Sequence, residues 1–153
     1  MKGRKYLNGL KSLSPAARFT HIYYEKQAQD YLITQKVFEA NKKSLKVEIE
    51  HYKDVFCRPN QDFQLQKDSQ KLILAVKHDG FLYRGPDICQ SFGNRNFYYT
   101  SSMLNCVYNC DYCYLQGMYP SANITAFINI EDYFNAVSKE LAKEPVYLAV
   151  SYD

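Results

Sequence analysis

The spacing of hydrophobic and polar residues along the chain predicts a mixed α/β fold. Residues 18–24 are aromatic and β-branched, which predicts a strand, and residues 25–40 have apolar positions near helical spacing. That predicted helix ends at Asn41. Apolar and polar residues then alternate over 45–51, which indicates a strand with one buried face. Strand, helix and strand in this order predict a small α/β unit with a crossover connection.

The following segment is polar and then strongly apolar. Residues 52–70 carry Pro59 and few periodic apolar positions, so we expect a surface loop. Residues 71–77 are apolar at successive positions, as in an interior strand that is covered on both faces. Turn residues follow, and we place a boundary near residue 90. Residues 1–90 are therefore predicted to form an N-terminal α/β region.

The second half of the chain predicts a strand, a loop, a helix and another strand. The strands cover 96–101 and 146–151, the second of which is expected to be buried. The helix should be capped by Asn129 and stopped by Pro145. This order is typical of the opening of a parallel α/β barrel or a doubly wound sheet, with the loop at the carboxyl end of the first strand. The apolar stripe of the predicted helix consists of Ile130, Tyr133, Phe134, Val137 and Leu141.

The chain has 153 residues and stops just after this second strand. One helix cannot cover both faces of a parallel sheet, so we interpret residues 91–153 as the incomplete start of a barrel and the chain as a fragment of a longer protein. No run approaches the ~18 apolar residues of a membrane span. The basic start lacks the apolar core of a secretory signal, so a cytoplasmic protein with no membrane partner is expected. The net charge of +3 permits nucleic-acid binding without arguing for it.

Three of the five cysteines fall within one short stretch. Cys106, Cys110 and Cys113 have the spacing C-x3-C-x2-C, and in a cytoplasmic protein such clusters indicate metal or redox chemistry more often than disulfides. An iron–sulfur cubane held by three cysteines keeps one iron open for another ligand. The alternative is a zinc site, which would need a fourth ligand such as Cys57, Cys89 or a histidine. Without that role, Cys57 and Cys89 are ordinary free thiols.

The cysteine stretch also resembles a known family. C-x3-C-x2-C followed by an aromatic residue is similar to the signature of the radical S-adenosylmethionine (radical SAM) superfamily. Residues 110–116, with the sequence CDYCYLQ, resemble the C-x-Y-C-Y-L-Q run of spore photoproduct lyase. The resemblance implies a small N-terminal α/β region followed by the first βα units of a partial parallel (β/α) barrel of radical SAM type.

This resemblance further implies a [4Fe–4S] cluster on Cys106, Cys110 and Cys113. The open iron would be chelated by S-adenosylmethionine, whose reductive cleavage gives a 5′-deoxyadenosyl radical. In the lyase family that radical reverses the thymine–thymine spore photoproduct in DNA, which is a carbon–carbon lyase reaction. The implied partners are damaged DNA and a reductant such as flavodoxin or ferredoxin.

The same resemblance suggests roles for three further side chains. Tyr112 and Tyr114 would lie beside the cofactor, position it and help to return a hydrogen atom; the alternative is that they only pack the loop. Gly117 is expected to allow a sharp turn beside the cluster. The family also has a cysteine hydrogen donor at the end of the second barrel strand, but no cysteine follows Cys113 here. The position that matches by eye holds Ser151, whose O–H bond is too strong for that role.

The missing donor cysteine leaves several functions open. The donor lies in sequence outside this chain, or another residue replaces it, or the chain belongs to a radical SAM enzyme that acts on another substrate. A different class is a zinc- or cluster-stabilised DNA-binding module without catalysis. An incomplete barrel is also compatible with a fragment that is inactive by itself.

Overall fold

A computed structural model describes residues 19–86, 88, 91, 93–108 and 110–150. They form two sheets with α-helices packed around them, which confirms the predicted α/β class. The strands are β1 (His21–Glu25), β2 (Leu45–Ile49), β3 (Leu72–Ala75), β4 (Tyr83–Arg84), β5 (Phe97–Thr100), β6 (Met103–Leu104), β7 (Ile124–Phe127) and β8 (Tyr147–Val150). The helices are α1 (Leu32–Ala40), α2 (Lys53–Phe56), α3 (Phe63–Asp68) and α4 (Ile130–Leu141), and Lys26–Ala28 forms a short 3-10 helix.

The larger sheet has the strand order β2-β1-β3-β7-β6, and its strands are parallel except for β6. Its centre is β3, whose four residues are all buried, as the apolar run 71–77 predicts. Side chains that alternate along β3 enter two hydrophobic clusters on opposite faces, one around Leu72 and Leu74 and the other around Ile73. The sheet is therefore covered on both faces at its centre.

The edges of this sheet differ from the prediction. Strand β2 lies at an edge, and its burial pattern has no fully buried residue, with Leu45 57% exposed. The predicted helix over 25–40 is also interrupted. Glu25 is the last residue of β1, the 3-10 helix follows, and α1 begins only at Leu32. The end at Asn41 is confirmed, because the Asn41 side chain donates a hydrogen bond to the carbonyl oxygen of Val37 at 2.9 Å.

The sequence pattern predicts a loop over 52–70, but this polar segment contains α2 and α3. Pro59 lies between the two helices, so it interrupts neither. Helix α3 begins after Asp62, whose carboxylate accepts a hydrogen bond from the backbone N–H of Leu65 at 3.0 Å. This N-cap is the local reason that a short polar stretch becomes helical.

The smaller sheet has the order β4-β5-β8, and β5 pairs with β8 in parallel register. The predicted strands and helix are present as β5, α4 and β8, but two strands that were not predicted, β6 and β7, lie between β5 and α4 in the chain and belong to the larger sheet. The predicted burial of 146–151 is wrong, because β8 is at the edge of the sheet and Val150 is 69% exposed. The α4 stripe is buried at Tyr133, whereas Phe134 is 67% and Leu141 is 52% exposed.

Strands from both sides of residue 90 meet in the larger sheet, because β7 pairs with β3 along four residues. The division into 1–90 and 91–153 stays a prediction. Among the residues described, no helix has both the length and the apolar composition needed to cross a membrane.

Candidate functional site

The cysteine-bearing segment connects two paired strands at one edge of the larger sheet. Strand β6 ends at Leu104 and strand β7 begins at Ile124, and in their antiparallel ladder Leu104 lies opposite Thr125. Residues 105–123, here called the cysteine loop, therefore leave the sheet and return to it at neighbouring positions. Both ends of the loop are held by backbone pairing.

Side-chain hydrogen bonds close the base of the cysteine loop. Asn105 has a left-handed backbone conformation (φ 65°), a region that asparagine enters more readily than most residues. Its side-chain amide donates to the carbonyl oxygens of Ser121 at 2.5 Å and Asn123 at 2.9 Å. The Asn123 amide oxygen in turn accepts from the backbone N–H of Lys71 at 2.9 Å. The loop base is thus linked to the start of β3.

Helix α3 and the residues just after it hold both ends of the same loop. Gln66 accepts hydrogen bonds from the Ala122 N–H at 2.8 Å and from Ser121 Oγ at 3.0 Å. The backbone carbonyl of Cys106 accepts two hydrogen bonds, at 2.7 Å from Lys67 Nζ and at 3.0 Å from Gln70 Nε2. Gln70 also donates to the Ala122 carbonyl at 2.7 Å. We call Gln66, Lys67 and Gln70 the α3 clamp.

The α3 clamp is the part of the site that sequence reasoning missed. The sequence pattern predicts a loop over 52–70, which gives the polar residues of that segment no role. One signal of the helix is present, because Asp62 is a favourable N-cap. The targets of Gln66 and Gln70 lie 36 to 56 positions away in sequence, which local patterns do not reveal.

The three predicted ligand cysteines are all free thiols on this loop. Cys106 is exposed, and Cys110 and Cys113 are half-buried. Cys110 and Cys113 belong to one turn, in which the Cys113 N–H donates to the Cys110 carbonyl at 3.0 Å. Gln116 donates its side-chain amide to the same carbonyl at 2.8 Å. The turn around Cys110 is therefore fixed by the loop itself.

The sulfur atoms are not gathered into a metal site. Within the described part of the chain, no three Cys, His, Asp or Glu side chains lie together so that they could hold a metal ion. This applies equally to the cysteine loop and to the zinc alternative, for which Cys57 is exposed and Cys89 lies outside the described residues. Cysteine ligands bind a metal centre as thiolates. The donor chemistry fits an iron–sulfur cluster, and the ligand set stays a prediction.

The tyrosines beside the cysteines point into solvent. Tyr112 and Tyr114 are each 90% exposed, so the alternative that they pack the loop is wrong for this structure. Gly117 has φ +80°, which confirms the predicted sharp turn after them. Ser151, the third predicted catalytic residue, lies outside the described residues. The loop thus presents two phenol groups next to its thiols, both accessible to a ligand.

No protein-family model matches the sequence, and no curated protein matches it. Solved structures do match. A spore photoproduct lyase double mutant with bound AdoMet and dinucleoside spore photoproduct superposes with a TM-score of 0.64 at 20% identity, over 88% of this chain and 40% of that one. A single mutant with the dinucleoside photoproduct gives 0.62 at 17% identity, over 88% and 39%. A third mutant of this lyase gives 0.59 at 18% identity, over 82% and 36%.

These likenesses show a shared fold. The chain has the architecture of part of the spore photoproduct lyase structures, and the resemblance stated from the cysteine stretch is confirmed at the level of the fold. The chain spans about 36–40% of the length of the lyase structures it matches. What those proteins bind is a property of the neighbours.

Proposed function

We propose that this chain is part of a radical SAM enzyme that reverses the spore photoproduct in damaged DNA. One observation carries the proposal: a C-x3-C-x2-C loop is held between two strands of a fold that superposes on spore photoproduct lyase with TM-scores of 0.59 to 0.64. The sequence signature and the superposition point to the same enzyme family. Their agreement supports radical SAM chemistry more strongly than either alone.

Cys106, Cys110 and Cys113 would hold a [4Fe–4S] cluster, and Tyr112 and Tyr114 would contact S-adenosylmethionine beside it. When bound, the cluster and S-adenosylmethionine supply a 5′-deoxyadenosyl radical. The protein's contribution is to position the loop. Lys67, Gln70 and Asn105 bind its backbone carbonyls, and Gln66 binds a backbone N–H and a serine hydroxyl, so none of these contacts uses a thiol. The thiols are thereby left to coordinate iron.

The two exposed phenols suit contact with a cofactor. Each combines a flat apolar ring with an O–H group, and 90% exposure leaves ring and hydroxyl open to a ligand. A phenol O–H is also a plausible source of a hydrogen atom, unlike the serine hydroxyl of Ser151. We therefore assign the hydrogen relay to Tyr112 or Tyr114 and give Ser151 the weaker claim. A reductant such as flavodoxin or ferredoxin and a cytoplasmic location complete the proposal.

Iron content separates this proposal from a zinc module. After anaerobic reconstitution, the chain should be brown, absorb at about 400 nm and contain four iron and four sulfide per chain. Cys110→Ala should abolish the colour, whereas the matched control Cys57→Ala should keep it. A colourless, zinc-loaded protein would refute both the lyase and any other radical SAM enzyme.

Two further assays separate the lyase from other radical SAM enzymes. S-adenosylmethionine and dithionite should give 5′-deoxyadenosine if the chain contains the complete cofactor site. In DNA that carries spore photoproduct, the lesion should then be converted back to two thymines. One observation favours the alternative that the enzyme acts on another substrate: no cysteine follows Cys113 in this sequence. If a protein extended to the full barrel forms 5′-deoxyadenosine but does not repair the lesion, that result would favour the alternative substrate.

A further inference from the structure

A second candidate site is a cavity of about 580 Å³, to which the cysteine loop contributes Tyr119. Part of its lining is built from the residues that follow β2 and β3 in the larger sheet, including His51 and Lys77. Another part is built from the smaller sheet, where Tyr83 and Tyr99 lie on neighbouring strands. We call this the inter-sheet cavity. Its volume is within the usual range of about 300–1,000 Å³ for small-ligand pockets.

The strand order makes this a place where α/β sheets bind ligands. After β1 the chain crosses to β2 on one side, and β3 then lies on the other side of β1. The direction of winding therefore reverses between β1 and β3, and the crevice outside the carboxyl ends of such strands is the usual ligand position. Lys77 and Tyr52, which follow β3 and β2, line the inter-sheet cavity at this point.

A buried carboxylate fixes the floor of the crevice. Glu25, at the end of β1, is 1% exposed and accepts hydrogen bonds from the backbone N–H groups of Tyr52 and Val76, both at 2.8 Å. These bonds join the ends of β1 and β3 to the residue that opens α2. The carboxylate is thus committed to the interior, and the cavity walls are held in a defined arrangement before any ligand binds.

The polar groups that line the cavity favour an anion. Two lysines and two histidines face a single aspartate; these are Lys53, Lys77, His51, His78 and Asp79. The Lys77 ammonium lies 5.1 Å from the ring centre of Tyr83 and 5.3 Å from that of Phe127, where the aromatic faces stabilise its charge. Burial raises the pKa of Tyr52, with a smaller contribution from Cys57, so its phenol remains a neutral hydrogen-bond donor at neutral pH.

Aromatic rings in the same cavity offer a surface for a flat group. Tyr83 and Tyr99 are stacked, with ring centres 5.2 Å apart and planes inclined by 19°. Tyr83 is still 39% exposed, so part of that stack is open to the cavity. Bases stack on aromatic side chains with little regard to sequence, and a nearby cation completes the usual combination for nucleotides.

We propose that the inter-sheet cavity binds a nucleoside 5′-phosphate, with the base against the Tyr83–Tyr99 stack and the phosphate near Lys77 and Lys53. The presence of a stacked tyrosine pair and two lysine ammonium groups in the lining of one cavity carries the proposal. It uses no residue assigned to the cluster or to S-adenosylmethionine, so it stands whether or not the proposed function holds. The nucleotide is either free or part of a DNA strand, and the two sources have the same chemistry.

Calorimetric titration of the full chain with thymidine 5′-monophosphate tests the site. We expect saturable binding that weakens as salt is raised, with thymidine and inorganic phosphate each at least about tenfold weaker. Lys77→Gln and Tyr83→Ala should each weaken binding at least about fivefold. Lys36→Gln removes the same charge from an exposed position on α1 and should leave the affinity unchanged.

Lys53→Gln separates a loss of binding from a loss of folding. Lys53 is exposed, so this substitution should weaken nucleotide binding without lowering the free energy of unfolding. The proposal is overturned if the mononucleotide does not bind, or if Lys36→Gln weakens it as much as Lys53→Gln and Lys77→Gln do. Octathymidylate distinguishes the sources: binding more than about tenfold tighter than the mononucleotide supports a DNA strand, and equal affinity supports a free nucleotide. Iron content should not change in any of these variants.

Discussion

Replacing Gln66 by alanine tests how firmly the cysteine loop is attached to the scaffold. The Gln66 amide oxygen accepts hydrogen bonds from the Ala122 N–H at 2.8 Å and from Ser121 Oγ at 3.0 Å. Both partners belong to residues with 0% exposure, so water has poor access to the groups that lose their acceptor. The amide nitrogen of Gln66 also donates to the side-chain oxygen of Gln61 at 2.7 Å.

The expected cost follows from these three bonds. A buried backbone N–H that loses its partner costs about 1–3 kcal/mol, and a typical net hydrogen bond contributes about 1 kcal/mol. The Ser121 hydroxyl can rotate, and the Gln61 side chain is partly solvated. The loss of their hydrogen bonds to Gln66 should therefore cost less free energy than the loss of the bond to the Ala122 N–H. We expect Gln66→Ala to lower the free energy of unfolding by about 2–3 kcal/mol. This is a large fraction of the ~5–15 kcal/mol that stabilises a typical domain.

Urea unfolding followed by far-ultraviolet circular dichroism measures this difference. The control is Gln64→Ala on the same helix, since Gln64 is exposed and the two substitutions change helix propensity equally. The control should shift the free energy of unfolding by no more than about 0.5 kcal/mol. If both variants unfold at the same urea concentration with the same slope, the α3 clamp does not hold the loop and the reasoning is refuted.

Three other substitutions test separate parts of the fold and site. Gly117→Ala should lower the free energy of unfolding by about 1–2 kcal/mol through backbone strain alone, because φ is +80° and an added methyl group meets no atom within 4 Å; a urea midpoint equal to that of the parent would contradict this. Glu25→Gln should cost about 2 kcal/mol or more and speed hydrogen exchange at the Val76 amide, because an amide replaces the acceptor of two backbone N–H groups. Tyr112→Phe should keep the iron content and the urea midpoint but slow turnover, and a loss of iron would instead indicate a role in holding the cluster.

The interior of the larger sheet could be predicted because its signal is local. Five successive apolar or small positions, 72–76, mark a strand that is buried on both faces, and β3 is buried in all four of its residues. The helix boundary at Asn129 was equally readable. Its side chain does not cap α4, however, but accepts from the Lys77 N–H at 2.9 Å and donates to the Lys77 carbonyl at 2.8 Å. A partner 52 positions away is invisible to a local pattern.

The errors have the same physical origin. Strand β8 has the composition of a buried strand, but burial depends on what covers it, and Val150 is 69% exposed at the sheet edge. Helix α3 has six residues and little apolar periodicity, so its N-cap was its main signal. At the site, the cysteine spacing indicated the chemistry. It could not indicate that Gln66 and Gln70 would hold the loop, because their partners, residues 106, 121 and 122, are distant in sequence.

The β6–β7 pairing has a consequence for engineering. Since Leu104 and Thr125 face each other across the ladder, the segment between them is an insertion at the tip of a two-stranded ribbon. Exchanging 105–123 for Asn-Gly would leave a three-residue connection, Asn-Gly-Ile124, between the paired residues, and hence a short hairpin that the rest of the sheet could accept. Residues 105–123 could therefore be transferred to another protein together with the α3 clamp. The receiving protein would need a parallel sheet that ends in a two-stranded antiparallel ribbon.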